Sequence, residues 1–383
     1  MKVVNLQRKI VGPDVIFSAD FFFASLPGQR RDRLVSRLTG RGWLWPYRVW
    51  FRVQKQYGSD TSPEDTFFIL AYLFAAAQGE DLEFGGEVSK QLFENIRATA
   101  SYLKLRDPDV EVAVKGLVSR RRTGQGIGQL FTLGVDSFFT LLAGPMAESF
   151  SKEKYLIFVE GFDVSHRSRN LIRQIHTNTV AVAESTSTKP VFVATNVRPL
   201  CDRVISWDNF HGAALAAVGL LLGRKIGSIY INATDGYRIG LVWGTSLYLD
   251  RLWSTEAVSF LSSGADLGRM EKVEKIKESR HFDLFLQNVR VCWQNYGEKD
   301  APYNCSRCGK CVFTQFVLLA CDIKDPFPSF GGVPLADLMP GINTPFNFPT
   351  WEKIYHRLKA KPEHRQLAGK LGRILQHKGV LQK

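Results

Sequence analysis

Four of the six cysteines in this 383-residue chain fall between positions 292 and 311. Cys305, Cys308 and Cys311 have the spacing C-x2-C-x2-C, which brings three thiols onto one tight knuckle. Cys292, at the end of a predicted short strand Val289–Val291, can complete a tetrahedron of sulfurs. Four thiolates leave a Zn2+ ion no open position, so the predicted role is structural, with metal binding contributing directly to folding. The same ligand set also suits an iron–sulfur cluster, and free buried cysteines are the plainer alternative. Cys201 and Cys321 stand apart and read as core cysteines.

The second set with chemical potential is Leu130–Leu142. An apolar strand ends at the hydroxyl residue Thr132, the backbone turns at Gly134, and a helix begins near Asp136 and Ser137. Unpaired N–H groups at such a helix start can face an anion, and the hydroxyls of Thr132 and Ser137 add two donors. That is a physical design for holding pyrophosphate. A turn of the same shape with no ligand is the structural alternative. A rival phosphate loop, Ser119–Gly128 (SRRRTGQGIG), precedes a strand instead of following one, and reads better as a basic joint between domains.

These residues need elements to hold them. From residue 129 the pattern alternates strand and helix: strands at Gln129–Thr132, Tyr155–Val159, Val191–Thr195 and Ser228–Asn232, and helices at Ser137–Ser149, His166–Glu184 and Phe210–Leu222. The strands are short continuous apolar runs, as in a parallel sheet covered on both faces, so the expectation is a doubly wound α/β fold with ligands at the carboxyl ends of the strands. Residues 1–122 read as an N-terminal module serving as packing or partner surface, with helices at Pro63–Ala77 and Val88–Leu103. The α/β domain then spans 123–290, the cysteine knuckle and its following helix 291–325, and an irregular connection with a basic tail 326–383.

Composition sets limits. Apolar residues at 45% and charged residues at 23% are those of a globular protein. The longest apolar run, Ala213–Leu222, is too short to span a bilayer, and Met1–Lys9 is charged with no apolar stretch behind it. No membrane contact and a cytoplasmic location are therefore expected. A net charge of +13 attracts polyanions, and Trp351–Lys383 carries nine Lys or Arg against two Glu. That excess suits either nucleic acid, an acidic partner or plain solvation.

Thr132–Ser137 resembles the Ser-Gly-Gly-x-Asp-Ser PP-loop of N-type ATP pyrophosphatases, with Thr132 standing for Ser and Leu133 for the first Gly. Loop and knuckle together resemble the family of 7-cyano-7-deazaguanine synthase, the nitrile-forming enzyme of queuosine biosynthesis, over roughly residues 128–322. The chain is most similar to the larger synthase-like proteins of bacterial antiphage islands such as the Qat and type IV CBASS systems. It shares with them the Leu-Gly-Val-Asp-Ser loop, the Arg-Val-Cys-Trp run at Arg290–Trp293, and the Asn-Cys-x-x-Cys-x-Lys-Cys knuckle at Asn304–Cys311.

The resemblance implies an adenine nucleotide alpha hydrolase fold over 123–290 and an ATP-dependent, carbon–nitrogen bond-forming ligase. A deazapurine carboxylate would be adenylated with release of pyrophosphate, and an amine (ammonia, or an amine of a protein, such as a partner from the same operon) would then give an amide or nitrile. ATP, Mg2+ and Zn2+ are the implied cofactors. Thr132, Leu133, Gly134, Val135, Asp136 and Ser137 would bind the nucleotide, with Asp136 and Ser137 at the chemistry. Asp163, beside His166 and Arg167, and Asp250 of Tyr248-Leu249-Asp250 would meet the substrate, although a helix N-cap explains Asp163 as well. Arg269 and Lys272, on a predicted helix Asp266–Glu278, read more simply as a solvated face, and His211 as a packing or capping residue. A tRNA-modifying PP-loop enzyme and a non-catalytic zinc-stabilised nucleotide-binding scaffold are the alternatives.

Overall fold

The computed structural model describes residues 1–24, 46–58, 61–121, 124–149, 153–234, 242–294, 296, 298–324, 326–342 and 348–381. Residues 122 and 123 of the expected joint, residue 325 at the end of the expected knuckle segment, residues 343–347 of the irregular connection, and the last two residues of the tail lie outside them.

Ten strands form one sheet. In chain order they are β1 (Lys2–Val11), β2 (Asp14–Phe22), β3 (Tyr47–Gln54), β4 (Leu82–Ser89), β5 (Val112–Val118), β6 (Gly126–Leu130), β7 (Lys154–Glu160), β8 (Lys189–Thr195), β9 (Ile226–Asn232) and β10 (Ser259–Ser263). Their order across the sheet is β10-β9-β6-β7-β8-β3-β2-β1-β4-β5. The five strands from β10 to β8 are mutually parallel. β6 lies centrally among them: the chain leaves it toward β7 and β8, then returns to place β9 on its other side. That reversal opens a crevice at the carboxyl end of β6, the usual ligand position in such sheets.

The expected boundary near residue 122 falls between β5 and β6, which belong to the same sheet. β3 pairs antiparallel with β8, Phe51 opposite Thr195 and Val53 opposite Val193, so the N-terminal residues extend the sheet. Strands β1 to β5, in which β1–β4 and β4–β5 are also parallel, carry no signal as plain as β6 to β9. β1 mixes its apolar positions with Lys, Arg, Asn and Gln and buries only Val3, and β2 turns Val15, Phe17, Ala19 and Phe21 inward while its other face stays partly exposed. β1 and β2 form a hairpin around Gly12–Pro13, where Gly12 takes a φ of +58°.

One face of the sheet is covered by the helices Glu64–Gln78 and Trp207–Leu221, packed on each other with Phe74 stacked on Phe210 at 4.8 Å. The other carries Val135–Leu142, Arg169–Ser185 and Arg269–Lys277, together with Gly309–Ala320 and the C-terminal helices Phe348–Lys359 and Arg365–His377. β6 is buried along its whole length, with Leu130 in one core and Ile127 in the other. Among the described residues, no helix is long and apolar enough to cross a membrane.

Local differences from expectation have physical causes. β6 begins at Gly126, inside the stretch read as a joint, because its neighbours press on it: a Cβ on Gly126 would lie 2.5 Å from the Tyr155 ring. The helix expected over Ser137–Ser149 stops at Leu142 and resumes as a short turn at Pro145, after Gly144. No strand forms at Val289–Val291, whose backbone is bonded by a side chain instead.

Candidate functional site

The turn between β6 and the helix Val135–Leu142 lies at the mouth of a cleft of about 210 Å³. Thr132, Gly134, Val135, Asp136 and Ser137 line it, together with Asn232 at the end of β9 and Phe162 beyond β7. Gly134 stands at the N-cap of the helix, and no side chain caps the first turn. Polar atoms crowd around Gly134: an added Cβ would stand 3.3 Å from Thr132 Oγ1, 3.7 Å from the Arg290 carbonyl and 4.0 Å from Ser137 Oγ. The Ser137 hydroxyl donates to the Gly134 carbonyl at 3.0 Å.

Leu133 has a φ of +62°, the left-handed region in which glycine is at ease. Its side chain is fully buried in the core beneath the turn and is not among the walls of the cleft. The backbone thus follows a glycine-like path while the leucine serves packing, and no bulk enters the site. Among the expected nucleotide-binding residues, Leu133 has only its main chain near the turn.

Asp136 is held by two cations, Lys272 Nζ at 2.8 Å and Arg269 Nη2 at 3.3 Å. Lys272 is fully buried and also donates to the Ala233 carbonyl at the end of β9. The expectation of a solvated face for Arg269 and Lys272 is therefore corrected: both are buried, turned inward by the helix Arg269–Lys277 as it packs against Val135–Leu142. A third cation, Arg290, is 4% exposed. Its Nε and Nη2, and Nε of Arg269, have no hydrogen-bond partner among the described residues. Arg269, Arg290 and Lys310 all line the cleft. Burying unpaired guanidinium nitrogens is costly, and an anion relieves that cost.

The far wall is aromatic, with Phe162, Trp207 and His211 lining it. The guanidinium of Arg198 lies between the rings of Trp207 and Tyr296, at 4.6 and 4.1 Å, and donates to the Phe162 carbonyl at 2.6 Å. Asp163 also lines the cleft, half exposed and 3.8 Å from Arg198. The position before the helix Arg169–Ser185 belongs to Ser168, so Asp163 is not its N-cap. His211 Nδ1–H donates to the Trp207 carbonyl at 3.1 Å, and burial pulls its pKa down.

Asp250 is placed differently. It is fully buried in the short helix Leu249–Leu252 and is not among the cleft walls. Burial pushes its carboxyl up to about 7, against the opposing pull of the Ser246 amide, 3.2 Å away, and of Ser262.

Cys292, Cys305, Cys308 and Cys311 come together, all four sulfurs within 4.8 Å of one another. The Cys292–Cys308 and Cys305–Cys311 separations are 4.0 and 3.9 Å. A tetrahedral zinc thiolate site has S–S edges of about 3.8 Å, so the four are positioned to hold a metal ion compatible with zinc. Cys308 N–H donates to Cys305 Sγ at 3.3 Å, as thiolate ligands commonly receive. Hydrogen bonds from Cys308 and Cys311 hold the Cys292 thiol far below the ordinary range. Of the four, Cys292 lines the cleft, so the cluster borders it through that one residue. Cys201 and Cys321 are buried elsewhere, as expected.

Comparison of the chain with protein-family models, with curated proteins and with solved structures gave no match.

Proposed function

We propose that the chain is an ATP-dependent, PP-loop enzyme that adenylates a carboxylate-bearing deazapurine and passes the acyl group to an amine. The observation that carries this reading is the pair of buried arginines, Arg269 and Arg290, whose unpartnered nitrogens lie with an uncapped helix start at the carboxyl end of the central strand. Cationic donors converging on one such turn suit a pyrophosphate group, and the aromatic far wall suits a heterocycle.

In this reading Gly134 to Ser137, Arg269 and Arg290 hold the triphosphate. A carboxylate oxygen of the substrate attacks the α-phosphorus, and the bond to the bridging oxygen breaks as pyrophosphate leaves. The amine nitrogen then attacks the acyl carbon and AMP departs, giving an amide. Asp136 is the acid on the turn and would hold a magnesium ion, which when bound offsets triphosphate charge, by giving up its pairing with Arg269 or Lys272. The four cysteines would hold zinc in a structural knuckle. Asp163 stays a substrate contact, while Asp250, shut away from the cleft, would act by supporting the loop around Ser246.

Incubation with α-labelled ATP, magnesium, ammonium and 7-carboxy-7-deazaguanine tests the proposal. AMP formation that requires the deazaguanine supports it, and nucleotide binding without turnover under all conditions leaves a scaffold. A second reading, a tRNA substrate, is favoured by Arg365, Lys370, Arg373 and Lys378, which stand exposed on and just after the last helix. AMP release only with tRNA would select it.

A further inference from the structure

We infer that Asn304 is a positioning residue that holds Arg290 ready for an anion, joining the cysteine cluster to the phosphate turn. The inference rests on the reading of the cleft as a pyrophosphate site. Asn304 immediately precedes Cys305 and is 7% exposed. Its Oδ1 accepts from the backbone N–H of Val291 at 2.9 Å and of Cys292 at 3.2 Å. Its Nδ2 donates to the carbonyls of Val289 and Ser329, both at 2.9 Å. One amide side chain thus does for residues 289–292 what a neighbouring strand would do, on both sides of Arg290.

Arg290 is pinned from the opposite direction as well, its N–H donating to the Leu133 carbonyl at 2.8 Å. A buried guanidinium with unpartnered nitrogens gains by swinging out to water, and a slack backbone would let it. The four bonds of Asn304 oppose that escape. They keep the group where an anion finds it already oriented, so little ordering is left to do on binding. Asn304 Oδ1 also lies 4.0 Å from Cys311 Sγ, so the same amide touches the cluster.

The experiment is a double-mutant cycle read by calorimetric titration of inorganic pyrophosphate into the metal-containing protein, with metal content assayed in parallel. Asn304→Ala is expected to weaken pyrophosphate binding at least tenfold while keeping its metal, and to add nothing further in an Arg290→Met background. Binding as tight as wild type, or an equal loss in both backgrounds, overturns the role of Asn304 and leaves the nucleotide reading standing. Wild-type protein with no affinity for pyrophosphate overturns that reading, and this role with it. Should Asn304→Ala not fold, hydrogen exchange on the wild-type chain carries the test: the amides of Val291 and Cys292 slow when pyrophosphate binds, and unchanged exchange there overturns the inference.

Discussion

Arg290 donates its backbone N–H to the carbonyl of Leu133 at 2.8 Å, which fastens the approach to the cysteine cluster onto the turn that opens the helix Val135–Leu142. The side chain of Arg290 meanwhile sits buried, with Nε and Nη2 unpaired among the described residues. Such a group costs stability when no anion is present. Arg290→Met should therefore unfold at the same or a higher temperature than wild type in plain buffer, yet gain far less than wild type from added pyrophosphate. A melting series with and without pyrophosphate checks both halves.

Leu133 tests whether packing or backbone ease matters more at the turn. Truncating a buried leucine costs about 2–5 kcal/mol, and relieving a left-handed φ returns about 1–2 kcal/mol. Leu133→Gly should thus lose about 2 kcal/mol in urea denaturation while keeping its pyrophosphate affinity within a fewfold.

Removing the Asp136 carboxylate strands Lys272, which is fully buried against it. Breaking a buried pair on one side costs about 3–5 kcal/mol, so Asp136→Asn should be destabilised by an amount of that order as well as inactive in AMP formation. Adding Lys272→Met should restore much of the stability and none of the activity. Equilibrium denaturation of the two variants decides the matter.

Cys308→Ser removes one of four sulfurs from a closed set. Loss of bound metal and several kcal/mol of stability should follow, because metal binding to such a site is coupled to folding. Metal analysis of wild type and variant, with denaturation of each, is the check. Wild-type protein that carries no metal and a variant of equal stability would refute the metal assignment.

Asp250 sets a pH dependence. Its folded pKa, about 7, lies above the ordinary value of 3.8, so between those limits the native state binds the proton that the unfolded chain has released. Stability from this group is accordingly full below pH 4 and falls as pH rises through 7, by on the order of a few kcal/mol. Asp250→Asn should flatten that decline, with its advantage over wild type larger at pH 8 than at pH 5. Asp65, raised to about 6 by burial, pulls in the same direction and stays in both proteins.

What could be read in the sequence follows the strength of the local signals. The cysteine spacing brought four sulfurs together, and the uninterrupted apolar runs marked β7, β8 and β9 to within two residues. The helix Glu64–Gln78 was visible from its acidic start and wide apolar face. Strands β1 to β5 were not, because partly exposed strands mix charged and polar residues among their apolar positions. Arg269 and Lys272 have the spacing of a solvated helical face, and only the packing of their helix turns them inward. Arg290 stood in a recognised run, but its unpaired nitrogens depend on contacts that spacing does not encode. Asp250 gave the reverse case: its substrate role is implied only by the resemblance of Tyr248-Leu249-Asp250, and the fold buries it away from the cleft walls.

The antiparallel seam between β3 and β8 has a consequence for how this chain can be cut or exchanged. A fragment starting after residue 122 would leave β8 with a raw, unzipped margin and strip the helix Trp207–Leu221 of its aromatic cover from Glu64–Gln78. The first third shares one sheet with the rest, and swapping it between proteins would mean rebuilding the seam residue by residue.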